Sequence, residues 1–258
     1  MSVLRVEVLG CGTSTGVPVV GCSCAVCVSG KERNQRLRPS VLLEEEGRVL
    51  LIDSGADLRT QFLRAGVQRI DAVLYTHAHA DHIFGLDDLR PYCFKQDGPI
   101  PCFGSAKTLD GVQQAFAYAF DERPSEGGGK PRLLPQVIEA GRFVVAGLEF
   151  EAIPVQHGSL EVFAYRRGGF AYVTDCNAIR ESSLERLEGL EILILDALRY
   201  RPHPTHFSLE EAIAVASRLG ARQTYFTHLA HDFDYYDLAL PLPPGMELAY
   251  DGLRLELE

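Results

Sequence analysis

The segment Tyr75-Thr76-His77-Ala78-His79-Ala80-Asp81-His82 puts three imidazoles and one carboxylate within six residues, directly behind the strand-like run Asp71 to Tyr75. Imidazole nitrogens and carboxylate oxygens are donors that suit Zn, Mn or Fe. If the chain leaves the strand extended, His77 and His79 project to one side at period two. A turn into a following helix then brings Asp81 and His82 to a neighbouring position, so that two adjacent metal sites can be assembled. The alternative is a solvated loop holding histidines by chance, and three of the chain's eight histidines within six positions argue against it.

A second constellation, Gly21-Cys22-Ser23-Cys24-Ala25-Val26-Cys27, presents C-x-C-x2-C. These thiols are too crowded to pair comfortably with one another and are well placed around a tetrahedral ion. A fourth ligand is then required, and His231, three residues beyond His228, is the best candidate. Three thiols without metal remain the alternative, because no second cysteine pair follows. Cys11, Cys93, Cys102 and Cys176 stand alone and read as small core residues, Cys176 adjoining Asp175.

The elements that must carry these residues are short β-rich runs: Leu4 to Leu9, Ser40 to Leu43, Val49 to Ile52, Ala72 to Tyr75, Phe143 to Val155 with a glycine break, Val162 to Tyr165, Phe170 to Val173, Ile192 to Leu195 and Thr224 to Phe226. Several are apolar enough to be buried on both faces. Helical patterns lie between them at Leu58 to Ala65, Leu109 to Phe120, Glu181 to Leu187 and Leu209 to Leu219. Ser208 and Glu211 form a capping box at the start of the last helix, and Gly220 closes it. Glu122 to Pro135 reads as a surface loop. The spacing Gly10-x-Gly12-x3-Gly16 follows a strand, but Pro18 stands where a nucleotide-binding helix would begin, so a dinucleotide reading fails. A tight turn, or one that touches substrate, remains.

Twenty-five Lys and Arg against 35 Asp and Glu give a net charge of −10, which argues against a protein that coats nucleic acid. Hydrophobic residues at 46% are globular in proportion, and no apolar run reaches the ~20 residues that span a bilayer. The alternating N-terminus, Met1 to Val8, is unlike a secretory signal, so a cytoplasmic, reducing location is expected, in which clustered cysteines favour metal over disulfides.

The His-rich segment resembles the H-x-H-x-D-H signature of the metallo-β-lactamase superfamily. The resemblance implies an α/β fold, an αββα sandwich carrying one or two metals at the edge of its sheets, in a single domain over residues 1–258 with a cysteine-rich zinc-binding insertion at 18–36. It also implies further ligands at later strand ends, found here as His157, Asp175 and His228. By that resemblance His77, His79 and His157 hold one metal, Asp81, His82 and His228 the other, and Asp175 bridges them. Asp53, in Asp53-Ser54-Gly55, would orient a ligating histidine through its other nitrogen, where the alternative is a plain turn residue. The C-x-C-x2-C together with Thr227-His228-Leu229-Ala230-His231 is similar to the phosphoribosyl cyclic phosphodiesterases of the C–P lyase pathway, which sharpens the assignment of Cys22, Cys24, Cys27 and His231 to a structural Zn.

The expected activity is hydrolysis of a small cyclic phosphodiester, such as a sugar 1,2-cyclic or nucleoside 2′,3′-cyclic phosphate, by a hydroxide bridging two divalent metals, Zn or Mn. Asp81 and His206 are the catalytic candidates. His206, in Pro204-Thr205-His206-Phe207-Ser208, is placed to protonate the departing oxygen, and related enzymes carry a histidine before this helix. His203, between Pro202 and Pro204, reads as an exposed turn. The family resemblance favours a homodimer. Alternatives within the superfamily are tRNA 3′-processing nucleases, glyoxalase-type thioesterases and the pyrroloquinoline-quinone biosynthesis protein; from another class comes a metal-stabilised binding protein without turnover.

Overall fold

The computed structural model describes residues 2–121 and 129–258. The strands in chain order are β1 (Leu4–Gly10), β2 (Ser40–Glu45), β3 (Arg48–Ile52), β4 (Ala72–Leu74), β5 (Ile100–Gly104) and β6 (Leu133–Val137). A second series follows: β7 (Gly141–Val145), β8 (Leu148–His157), β9 (Leu160–Arg167), β10 (Phe170–Val173), β11 (Ile192–Asp196), β12 (Gln223–Thr227) and β13 (Met246–Leu248). The closing strand β14 (Leu253–Leu257) returns to the first series, so that two seven-stranded sheets form, ordered β14-β1-β2-β3-β4-β5-β6 and β13-β12-β11-β10-β9-β8-β7. The fold is the α/β sandwich, helices outside and two mixed sheets within.

Alternation along the strands explains the layering. Leu50 and Ile52 of β3, with Ala72 and Leu74 of β4, join the core between the sheets, where Phe150, Val155, Tyr165, Tyr172 and Leu195 meet them. The helices begin with α1 (Ala25–Val28), α2 (Leu58–Ala65), α3 (Ala80–Ile83), α4 (Arg90–Lys95) and α5 (Ala106–Ala115). Leu51, Val73 and Tyr75 face the other way and pack beneath α2 and α5 through Phe62, Leu109 and Val112. Burial on both faces is why these runs read as continuously apolar. Helix α8 (Leu209–Leu219) lies against β11, with Leu209, Ala212, Ala216 and Leu219 buried.

Some expectations need correction. The loop expected over Glu122 to Pro135 lies partly outside the described residues, and its end, from Leu133, is strand β6. Pro135 disguised that strand, and it is tolerated because β6 is at the sheet edge. The helix read as Leu109 to Phe120 starts earlier, capped by Ser105, whose hydroxyl accepts from the Thr108 N–H at 3.1 Å, and it breaks at Phe116 before α6 (Ala117–Phe120). The helix read over Glu181 to Leu187 is one α turn, α7 (Glu181–Leu184), followed by a 3₁₀ turn. Strand β13 is too short to read from the sequence, Pro101 disguises β5, and the alternating run Leu253–Leu257 of β14 is a further strand that the sequence reading did not include. No helix among the described residues is long and apolar enough to cross a membrane.

The glycine turn after β1 serves close packing: a Cβ on Gly10 would stand 2.1 Å from the Arg38 carbonyl oxygen, and one on Gly12 2.6 Å from that of Arg36. The capping box of α8 is present as read. The Glu211 carboxylate accepts from the Ser208 N–H at 2.8 Å and its hydroxyl at 2.7 Å. Ser208→Ala is expected to cost about 1 kcal/mol, read as a lower urea midpoint with an unchanged slope.

Candidate metal centre

The functional side chains gather where strands end. Asp53 follows β3, the His-rich segment follows β4, His157 ends β8, Asp175 stands two residues past β10, Asp196 ends β11 and His228 follows β12. Most of these are parallel strands, whose carboxyl ends open a crevice between connections. Three of these residues adopt left-handed backbone: Asp53 (φ 60), Asp175 (φ 50) and His228 (φ 61). Such conformations cost energy and persist where the surroundings over-determine them.

Two donor groups result. His77, His79, His157 and Asp175 offer atoms all within 4.8 Å of one another, and so do Asp81, His82, Asp175 and His228. Asp175 belongs to both. Its carboxylate lies 3.7 Å from His77 Nε2, 3.2 Å from His82 Nε2 and 3.4 Å from His228 Nε2.

Hydrogen bonds behind the imidazoles set their direction. His82 Nδ1 donates to Asp53 at 2.7 Å, and Asp53 also accepts from the N–H and the hydroxyl of Thr76, each at 2.8 Å. The Thr76 oxygen in turn accepts from His77 Nδ1 at 3.0 Å, and His157 Nδ1 donates to the Thr205 carbonyl at 2.8 Å. With Nδ1 occupied in each, Nε2 is the nitrogen turned to the centre.

The carboxylates dominate the charge of the pocket. Burial opposes charge on His82, yet Asp175, Asp81 and Asp53 outweigh it and hold the imidazole well above its ordinary value. Burial likewise opposes charge on His228, and Asp175, Asp81 and Asp196 push it up to about 9. Asp175 is held well below the carboxylate range against its burial by His228 and His82. His82 Nε2 and His228 Nδ1 are buried without a hydrogen-bond partner. Anionic oxygens around inward-facing imidazole nitrogens fit a divalent cation.

The cysteines converge separately. Cys22, Cys24 and Cys27 place their sulfurs 3.3, 3.4 and 3.5 Å from His231 Nδ1. The Cys27 N–H is the largest influence that lowers the Cys24 thiol below its ordinary value, while burial raises that of Cys27. This donor set suits tetrahedral Zn. Arg36, itself buried, donates to the carbonyls of Ala230 at 3.1 Å and Phe233 at 2.8 Å, and Gly12 pairs with Leu229. Those bonds hold the turn that sends His228 to one group and His231 to another.

His206 joins a third set with Asp175, Asp196 and His228. Its Nδ1 donates to Asp196 at 3.1 Å and its ring stacks on His228 with centroids 4.6 Å apart, which leaves Nε2 toward the centre, 3.9 Å from Asp175. Asp196 was missed in the sequence, where its only signal is a carboxylate closing an apolar strand. It also accepts from the backbone N–H groups of Asp175 at 3.1 Å and Phe207 at 3.0 Å. His203 is not the exposed turn expected: it is half-buried, its ring centroid 5.2 Å from that of His206. Cys176 is buried beside Asp175, and its thiol is raised well above the ordinary value by burial.

The sequence profile described as the β-lactamase superfamily domain matches residues 48–229. A crystal structure of a diphosphatase from the PhnP family superposes with a TM-score of 0.93 at 42% identity, covering 100% of this chain and 98% of that one. The chain belongs to the β-lactamase superfamily and, within it, to the PhnP family. An octanoyltransferase of Porphyromonas gingivalis is 37% identical to this PhnP-family chain over 254 residues, 97% of the chain and 51% of that protein. A ribonuclease Z of Bradyrhizobium diazoefficiens is 31% identical over 160 residues, covering 60% and 47%. The chain thus spans about half the length of these two curated relatives.

Asp53→Ala removes the acceptor that fixes His82 without touching a donor of either group. It is expected to weaken divalent-metal affinity by about 10–100-fold, measured by competition with a chromophoric chelator.

Proposed function

We propose that this chain hydrolyses a small phosphodiester or diphosphate at a two-metal centre. The observation that carries the reading is Asp175, shared between two donor groups, a carboxylate that two neighbouring divalent ions would have in common. In this reading His77, His79 and His157 hold one ion and Asp81, His82 and His228 the other, with Zn or Mn suited to both. Such ions supply an activated water near neutral pH and neutralise charge on the phosphoryl oxygens.

The chain's own groups do the rest. Asp53 and the Thr205 carbonyl orient His82 and His157. Asp196 holds His206 with Nε2 toward the centre, where it can give a proton to the departing oxygen. Cys22, Cys24, Cys27 and His231 hold a structural Zn within an insertion at 18–36 of one domain. Val17, Val26 and Cys27 forming an apolar cluster apart from the main cores supports that division. The diphosphatase relative brings phosphoanhydrides into the substrate class beside cyclic phosphates. The net charge of −10 favours a small substrate over folded RNA, whose cleavage the ribonuclease Z relative would suggest.

The test is turnover of bis(p-nitrophenyl) phosphate by metal-replete protein, followed by a panel of cyclic phosphates, dinucleoside diphosphates and precursor tRNA. Absence of turnover on every member would leave a metal-stabilised binding protein, and a preference for the tRNA would overturn the small-substrate reading. His206→Ala should retain the metals and lose about 10²–10⁴-fold in rate on an alkyl ester, with a much smaller loss on a nitrophenyl ester, whose leaving group needs no proton. Equal losses would assign His206 to phosphate binding. Metal analysis of His228→Ala should show loss from the active centre with the cysteine-bound ion retained, and His231→Ala the reverse.

A further inference from the structure

The seven cysteines fall into two sets by their surroundings. Cys11, Cys93, Cys102 and Cys176 are 0% exposed, whereas Cys22 and Cys24 stand half-buried at the surface with Cys27 behind them at 8%. The reading above gives the second set only a structural task.

Its sulfurs are within reach of one another. The donor atoms of Cys22, Cys24, Cys27 and His231 all lie within 4.8 Å of each other. The crowding expected of these thiols is greatest across Cys22-Ser23-Cys24. Cys24 and Cys27 are instead one helical turn apart, Cys24 at the N-cap of α1 with its carbonyl accepting from the Val28 N–H at 3.1 Å, a spacing that a disulfide can bridge.

Three residues of chain join this cluster to the metal centre. His231 Nδ1 faces the sulfurs at 3.3 to 3.5 Å, and His228 turns Nε2 to Asp81 and Asp175 from a left-handed backbone (φ 61). Such a backbone persists while the chain on both sides is fixed. Strand β12 fixes it upstream. Downstream, Leu229 and Ala230 donate to the Cys11 and Leu198 carbonyls, and the cysteine-bearing segment supplies the rest. Arg36 donates to the carbonyls of Ala230 and Phe233, and Asn34 donates to Asp234 at 3.0 Å and accepts from the Tyr235 N–H at 2.8 Å. Arg36 is itself paired with Val17 in both directions, at 2.7 and 2.9 Å. The segment's own apolar cluster is only Val17, Val26 and Cys27 with Val19 beside them, so a bound ion carries much of its order.

We propose that the cysteine cluster is a redox switch: oxidation of Cys24 and Cys27 to a disulfide expels the ion, and the slackened turn at His228 weakens the hold of the metal centre on its own metals. The proposal rests on the reading that Cys22, Cys24, Cys27 and His231 hold Zn. The oxidant is hydrogen peroxide. The more exposed Cys24 sulfur attacks one peroxide oxygen, the O–O bond breaks, and water leaves a sulfenic acid on Cys24. The Cys27 sulfur then attacks that sulfur, the S–S bond forms, and a second water leaves. Two electrons pass from the thiolates to peroxide, two protons from solvent complete the waters, and the zinc ion departs with its charge unchanged.

The experiment starts from full-length protein stripped of metal under dithiothreitol and given one equivalent of Zn, which thiolates take in preference to Mn. Peroxide should release that Zn to a chromophoric chelator, and peptide mapping should place a disulfide between Cys24 and Cys27 while the four buried cysteines stay reduced. After catalase treatment, Mn²⁺ affinity, read from free Mn²⁺ by electron paramagnetic resonance, should be weaker by about tenfold and should recover with dithiothreitol and fresh Zn. Reduced protein given no Zn should show the same weakening. Zn that stays bound under peroxide, or a disulfide elsewhere, would overturn the switch, and Zn loss with unchanged Mn²⁺ affinity would overturn its coupling to the metal centre. A Cys24→Ser, Cys27→Ser double variant that holds Zn as tightly as wild type would instead overturn the zinc reading beneath the proposal. All of these are measurements of binding and oxidation, so they decide the switch whether or not the chain hydrolyses a phosphodiester.

Discussion

Four carboxylates, Asp53, Asp81, Asp175 and Asp196, are buried together at the ends of the strands, and the rest of the centre is a response to that concentration of negative charge. A buried anion without a partner is among the most costly things a fold can contain. Here each is met by imidazoles, by backbone N–H groups or by both. The same carboxylates raise His82 and His228 above the ordinary imidazole range against their burial, and the set of oxygens and nitrogens that results is one suited to a divalent cation.

The sandwich makes the concentration possible because its two sheets contribute from opposite sides. Asp53 and the His-rich segment come from the first sheet, His157, Asp175, Asp196 and His228 from the second, and a largely apolar core of both sheets lies beneath them. A packed core of this kind resists the small shifts that would let like charges drift apart. The left-handed backbones of Asp53, Asp175 and His228 are local costs that this rigidity sustains.

The turn from His228 to His231 ties two donor sets of different chemistry. Arg36 and the Gly12 to Leu229 pairing clamp it from the N-terminal side, so that segments some two hundred residues apart in the chain meet at one turn. The thiol-rich group thereby braces the segment that delivers His228, while its own donors stay outside the carboxylate pocket. Asp196 plays a comparable part for His206, gathering that ring and the backbone of Asp175 and Phe207 on one carboxylate.

What the sequence determined by itself was the chemistry and much of the scaffold. Residues close together in the chain, His77 to His82 and Cys22 to Cys27, carry their meaning in spacing, because local backbone geometry alone brings such donors together. Helices α2 and α8 were legible to the residue, since amphipathic period, caps and closing glycines are also local signals. His157, Asp175 and His228 became legible only through family resemblance, while His231 and His206 were also suggested by the chemistry each site calls for; the structure gathers these side chains into compact donor groups. Tertiary structure alone decided the rest. Asp196, Arg36 and Thr205 act through partners remote in the sequence or through backbone carbonyls, neither of which leaves a pattern in residue types. Strands β5 and β6 hold because neighbours complete their hydrogen bonding, although their prolines argue against them locally. His203 looked like an exposed turn because prolines flank it, and only the packing of its loop against His206 reveals a fixed imidazole beside the centre.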